Sequence, residues 1–260
     1  MPRLGYLLDV LPRRMVVVFL ASAFIGCLAA SSPSEGKGGP CPNGMAHIPV
    51  EGMHAYCIDR WEAQVVEVRG KDEVAHAPTQ PVTNLTVKAI TKAGVTPQGY
   101  ISKNEAETAC KAAKKRLCKG EEWDRACRGK TATTFPYGDT RKTGYCNDSG
   151  RAPIQSLHPE LTDVYASGAA MNDPRINESP NTVAPTGSFT HCRNAFGVFD
   201  MVGNLHEWVA DVHDGSRGTF RGGYYQDTHL NGDGCTYRTT AHDVSYHDYS
   251  TGFRCCADAR

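Results

Sequence analysis

The stretch Asn194-Ala-Phe-Gly-Val-Phe-Asp-Met-Val-Gly-Asn-Leu-His-Glu-Trp-Val-Ala-Asp211 sets two glycines, at 197 and 203, among short apolar patches and carries a tryptophan near its end. Glycine there suits a tight turn or a close backbone approach, and Trp208 suits a large apolar anchor for a thin core. Further along the chain, Phe220-Arg-Gly-Gly223 has the same character, and Gly252-Phe-Arg254 follows close to the end. Upstream, Lys114-Lys-Arg-Leu117 runs into Glu121-Glu-Trp-Asp-Arg-Ala-Cys-Arg-Gly129, whose Trp123 is a second anchor, and Phe135-Pro-Tyr-Gly-Asp139 comes after it. Earlier still stand Met45-Ala-His-Ile-Pro49, Cys57-Ile-Asp-Arg-Trp-Glu62 and Pro81-Val-Thr-Asn84. Gly, Pro, Asn and Asp separate these patches. The pattern predicts an α+β, irregular, loop-rich domain with few helices, short strands and long ordered loops.

The clearest helix starts at Ser102, where Ser102 and Glu105 form a capping box and Ala106, Ala109, Cys110 and Ala113 recur at helical spacing with lysines opposite. A second short helix is predicted over 121–127, and strands over 44–50, 55–61 and 219–225. Residues 140–190 give almost no periodic signal. There is no internal repeat, so one domain over 41–260 is expected.

Ahead of it, Arg3, Arg13 and Arg14 lead into Met15-Val-Val-Val-Phe-Leu-Ala-Ser-Ala-Phe-Ile-Gly26, an apolar run of about a dozen residues, too short for a membrane span and suited to a signal-peptide core. Either Met1 or Met15 could be the start. The run ends at Phe24-Ile25-Gly26-Cys27, which resembles the lipobox of bacterial lipoproteins with Phe24 in place of the usual leucine; the other reading is an ordinary secretory signal cut near Ala29 or Ala30. The lipobox reading makes 1–27 a signal peptide with lipid on Cys27, and 28–40, rich in Ser, Gly and Pro, a flexible tether. Leu28 is not the aspartate that retains lipoproteins at the inner membrane, which favours an exported protein anchored to the outer membrane of the cell envelope.

Charge excludes one class of partner. Lysine plus arginine equals aspartate plus glutamate, 28 each, so no net field gathers a polyanion, and nucleic acid is not expected. Of eleven cysteines, Cys27 set aside leaves Cys41, Cys57, Cys110, Cys118, Cys127, Cys146, Cys192, Cys235, Cys255 and Cys256, an even number that fits export and five disulfides. No paired CxxC spacing suggests zinc.

Taken in order, the landmarks over about 41–258 resemble the formylglycine-generating enzyme, or sulfatase-modifying factor, family. The resemblance implies that family's irregular fold, related to C-type lectins. It implies a structural calcium held by Asp200, Gly203, Leu205 and Glu207, with Asn147 at a second calcium site. It also pairs Cys110 with Cys255, leaving Cys118 and Cys127 to compete for Cys235 and Cys256; Cys41 with Cys57 and Cys146 with Cys192 are the remaining natural pairs.

Enzymes of the family oxidise a sulfatase cysteine to formylglycine with oxygen and a copper(I) ion held by two cysteine thiolates after a Gly-Gly turn. Here Asp227 stands at the first of those positions and Gly232 at the second, with Cys235 nearby. One thiolate beside a carboxylate is a poor copper(I) site. The expectation is therefore a binding or structural envelope protein whose partner is a peptide, a glycan or another envelope protein; the alternative is a true formylglycine-generating oxidase. Thr239-Thr-Ala-His-Asp243 and Tyr246-His-Asp-Tyr249 form either a polar, aromatic-lined groove or a hydrogen-bonded loop ending.

Overall fold

A computed structural model describes residues 39–260 apart from residue 53. The signal segment, Cys27 and all but the last two residues of the tether lie outside the described residues.

Strands β1 (Met45–Ile48) and β2 (Tyr56–Asp59) pair antiparallel; β3 (Ala63–Arg69) is the centre of a hairpin sheet with β4 (Asp72–Ala75) and β5 (Val87–Thr91). Helix α1 (Lys103–Ala112) begins as expected. The Ser102 side chain accepts from the Glu105 amide and Glu105 returns a bond to the Ser102 amide, so two orphan donors of the first turn are satisfied. Ala106, Ala109 and Cys110 face the core; Lys103 is also buried, ion-paired with Glu107, so not every lysine lies on the outer face.

After β6 (Arg116–Leu117) comes α2 (Gly120–Arg128), wider than the predicted 121–127 by one residue at each end. Asp211, the last residue of the opening stretch, accepts from the Gly120 amide at 2.9 Å, placing a carboxylate on the positive end of the helix. Three four-residue helices follow, α3 (Ile154–Leu157), α4 (Gly168–Met171) and α5 (Arg175–Glu178), then strands β7 (His206–His213), β8 (Arg217–Arg221), β9 (Arg238–Thr239), β10 (Thr251–Phe253) and β11 (Cys255–Asp258).

Two four-stranded sheets, ordered β1-β2-β11-β6 and β10-β7-β8-β9 with β10 parallel to β7, line the core together with β3 and β5. Trp123 anchors one cluster with Ile58, Met201 and three disulfides; Trp208 anchors another with Ile101, Phe220 and Phe253. Across the β7–β8 pair Trp208 stands opposite Phe220, ring edge to face at 4.7 Å. Among the described residues, no helix is long and apolar enough to cross a membrane.

Several expected boundaries shift. β1 and β2 are shorter than 44–50 and 55–61. β8 stops at Arg221 rather than 225, because Gly222 and Gly223 take φ of 83° and 71° and turn the chain out of the sheet. The β3–β5 sheet was not anticipated. In the silent 140–190 segment, order comes from bonds far apart in sequence: Tyr100 Oη donates to Asp173 O (2.8 Å), Asn177 Nδ2 to Tyr249 O (2.6 Å) and Tyr225 Oη to Asn177 Oδ1 (3.1 Å).

The disulfides join Cys41 with Cys57, Cys110 with Cys255, Cys118 with Cys256, Cys127 with Cys235 and Cys146 with Cys192. Five bridges suggest a domain that matures in an oxidising, exported environment.

Candidate functional site: a buried ion cluster and an aromatic basin

The residues that punctuate the sequence meet in the interior. Arg254 is fully buried, and its Nε and Nη2 each donate at 2.6 Å to the two carboxylate oxygens of Glu207, which also accepts from Trp123 Nε1 at 2.7 Å. The rest of the guanidinium reaches the carbonyls of Asp59 (3.0 Å) and Phe199 (2.9 Å). Glu62 accepts from the Leu205 amide (3.0 Å) and from Asn204 Nδ2 (2.5 Å), and Asp200 from the Gly187 amide (2.6 Å). Buried Asp59 is matched by Lys115 at 2.5 Å. Fork geometry and low dielectric make such pairs strong when every lone pair is used.

These contacts bear on the calcium expectation. Asp200, Gly203, Leu205 and Glu207 do share one loop and strand, but both Glu207 oxygens are held by a guanidinium and an indole, and one Asp200 oxygen by a backbone amide. Calcium takes six to eight oxygens. As placed, the two carboxylates of this set are committed to protein donors, with Arg254 as the cation beside Glu207. Among the described residues, no group of three or more His, Cys, Asp or Glu side chains is placed to hold a metal. Gly203 has a packing role: a Cβ there would stand 2.1 Å from Asn147 O. Asn147 is a strut, its amide donating to Thr182 O (2.8 Å) and Asn204 Oδ1 (2.9 Å).

Three carboxylates near one arginine leave negative charge in excess. Burial first, then the neighbouring acids, hold Glu62 well above the ordinary carboxylate range; burial, with Glu207 adding to it, pushes Asp200 up to about 7. The folded state thus keeps a proton on Asp200 that the unfolded chain releases near pH 4, so this group's contribution to stability is present at acid pH and is lost as pH rises through about 7. Asp200→Asn keeps an acceptor for Gly187 and tolerates the left-handed φ of 58°. Its unfolding free energy relative to wild type should rise between about pH 4 and 8, by on the order of 4 kcal/mol. Urea titrations at stepped pH read this; a flat difference would refute it.

The second feature lies where the copper ligands of the resembled enzymes would follow the glycine pair. Tyr224 and Asp227 exchange main-chain bonds at 2.8 and 3.0 Å, and a Cβ at Gly223 would stand 2.3 Å from Asp227 O, so the turn requires glycine. The Asp227 carboxylate caps its own loop, accepting from the His229 (2.8 Å) and Leu230 (3.1 Å) amides, and takes a bond from Tyr237 Oη (2.9 Å). Cys235 is fully buried and bonded to Cys127. The structure therefore brings Asp227 and Cys235 into one loop but offers no thiolate there.

Beside this loop opens a cavity of about 310 Å³. His206 forms its floor, with ring centroids 4.4 Å from Phe220, 4.8 Å from Tyr224 and 5.4 Å from Tyr237. Phe220 stacks on His242 at 5.5 Å and His242 on Tyr246 at 4.0 Å, while Tyr224 meets Tyr249 at 5.9 Å. Asp248 is buried and accepts from Tyr246 Oη (2.6 Å) and Ser250 Oγ (2.7 Å). Burial pushes the His206 imidazole down to about 3, so it is neutral; its nitrogens lie 3.2 Å from Ser250 Oγ and 3.3 Å from Tyr237 Oη. Tyr165, 62% exposed, and Met171 complete the wall; both come from the segment without periodic signal, and nothing in the sequence pointed to them. Of the two readings of 239–249, the aromatic groove is the one this geometry matches. A larger trough of about 720 Å³ runs beside β2 and α2, where Arg116 bridges Glu122 and Asp258.

Comparison with known proteins gives a consistent family. Residues 49–259 match the family described as "Sulfatase-modifying factor enzyme 1-like domain". The chain is similar to the Bos taurus protein named "Inactive C-alpha-formylglycine-generating enzyme 2", 26% identical over 170 residues, covering 63% of this chain and 50% of that protein. It is likewise similar to the Mus musculus "Formylglycine-generating enzyme", 27% identical over 180 residues, covering 61% and 43%. The chain thus spans about half the length of the curated relatives it matches. Among solved structures, PvdO from Pseudomonas aeruginosa aligns with a TM-score of 0.47 at 16% identity over 82% of this chain and 90% of that one, and CarF with 0.47 at 14% over 79% and 87%.

Proposed function

We propose, from the premise that this chain belongs to the family of sulfatase-modifying factor enzyme 1-like domains, that it is a binding member of that family. It captures a ligand in the aromatic basin and does not oxidise a sulfatase cysteine. The observation that carries this reading is the Cys127–Cys235 bridge together with Asp227 after the Gly222-Gly223 turn. Copper(I) needs soft thiolates, and the ten cysteines of the described residues are all in bridges. In this reading the domain is exported and held by lipid on Cys27 at the cell envelope, facing a peptide, glycan or envelope protein.

A thiol count with peptide mapping of the purified, unreduced mature protein tests the proposal. The expected result is no free thiol in the domain, no copper(I) uptake, and an acylated Cys27 in the same mass spectra. Two free thiols including Cys235, with copper-dependent conversion of a sulfatase-derived cysteine peptide, would establish the oxidase instead. An unmodified N-terminus near residue 30 would remove the anchor.

A further inference from the structure

This inference rests on the reading of the domain as a binder and concerns the chemistry of what it binds. The walls of the basin have three properties together. Aromatic rings follow one another without a break, from Tyr249 through Tyr224, His206 and Phe220 to His242 and Tyr246, with centroid steps of 4.0 to 5.9 Å. The sign of the charge behind them is negative: Asp248 stands behind Tyr246 and Asp227 behind Tyr237, each accepting the ring's hydroxyl, while no lysine or arginine lines the cavity. A phenol that donates to a carboxylate has a more electron-rich ring, and ring faces of this kind attract cations.

The third property is that the hydroxyls nearest the carboxylates are committed: Tyr246 and Ser250 give theirs to Asp248, and Tyr237 gives its own to Asp227. A sugar or a peptide amide would have to break these bonds to use them, leaving it the rim hydroxyls of Tyr165 and Thr239 and one O–H of the Tyr224–Tyr249 pair. An anion would meet two carboxylates and a neutral imidazole. A cation whose charge is covered by alkyl groups needs no acceptor, only ring faces and a negative field. We propose that the basin binds an alkylated organic ammonium ion, its methylated nitrogen held against Tyr165, Tyr224 and Tyr246, tyrosine rings of the wall that are not fully buried. The cavity, at the small end of ligand pockets, suits a head group of that size.

The test is calorimetric titration of the mature protein with choline and with its neutral carbon isostere, in which a tert-butyl group replaces the trimethylammonium head. Choline should bind at least about tenfold more tightly than the isostere. Tyr165→Ala removes a ring from the solvent-facing rim, where the fold does not depend on it, and should weaken choline binding by roughly three- to tenfold. Equal or tighter binding of the isostere, no choline binding at millimolar concentration, or an unchanged affinity in the Tyr165 variant would each overturn the proposal. Phosphatidylcholine and phosphatidylglycerol vesicles form a second arm, in which the acyl chains on Cys27 count equally: stronger co-sedimentation with phosphatidylcholine assigns the ammonium to a lipid head group, and equal co-sedimentation with binding of free choline assigns it to a soluble ligand. Preference for the isostere would sink the cation yet leave the domain a binder, whereas free thiols with copper uptake would remove the binder itself.

Discussion

Arg254→Met should lower the unfolding free energy by about 3 to 5 kcal/mol, the usual cost of removing one partner from a buried charge network. The guanidinium is fully buried and makes four bonds, two to Glu207 and one each to the carbonyls of Asp59 and Phe199. Methionine fills much of the volume but leaves Glu207 with only the Trp123 indole, and leaves Glu62 and Asp200 without their nearest positive charge. In a domain of this size the midpoint should fall by roughly 10 °C. Arg254→Lys keeps the charge without the fork, so its loss should be intermediate. The double variant Arg254→Met with Glu207→Leu should be more stable than the sum of the two single losses predicts, because it removes the stranded charge along with its partner. Urea unfolding followed by the fluorescence of buried Trp123 and Trp208 measures the four variants against wild type; strictly additive losses would show that the network is not a unit.

The same network shows what could and could not be read beforehand. The Ser102–Glu105 capping box is local, its two members three positions apart, and both of its bonds are present. The two tryptophan anchors were likewise legible, since large apolar side chains in a chain of short apolar patches have few places to go. The partners of Glu207 were not: Trp123 is 84 residues away and Arg254 is 47, so a motif resemblance could suggest a calcium ligand but could not reveal a guanidinium on the same oxygens. The β3–β4 hairpin escaped notice because β4 is exposed along its whole length and so has no buried face to produce alternation. The strand expected over 219–225 ends at Arg221, because two positive-φ glycines outweigh β propensity. Tyr224 belongs to the basin as a result. Segment 140–190 was silent because side-chain bonds to distant backbone groups order it, and such bonds leave no period.

Replacing Cys110, Cys118, Cys255 and Cys256 together by alanine should abolish cooperative folding at 37 °C, while replacing only Cys118 and Cys256 should leave a folded protein of lower midpoint. The two cysteines at 255 and 256 open β11, which lies between β2 and β6. Successive side chains of a strand point to opposite faces. Cys255 accordingly packs in the Trp208 cluster and reaches α1 through Cys110, whereas Cys256 packs in the Trp123 cluster and reaches Cys118. One dipeptide therefore clamps both halves of the core. The Cys110–Cys255 bridge spans 145 residues, and closing a loop of that length restricts the unfolded chain by about 5 kcal/mol. Once it is closed, the Cys118–Cys256 bridge closes an effective loop of only about ten residues and adds about 3 kcal/mol. Their joint contribution, about 8 kcal/mol, is comparable with the whole stability of a typical domain, about 5 to 15 kcal/mol. Far-ultraviolet circular dichroism in urea, without reductant, separates the two variants. A four-alanine protein with the wild-type midpoint would mean that packing alone holds β11, and the clamp would have to be abandoned as the source of the fold's stability.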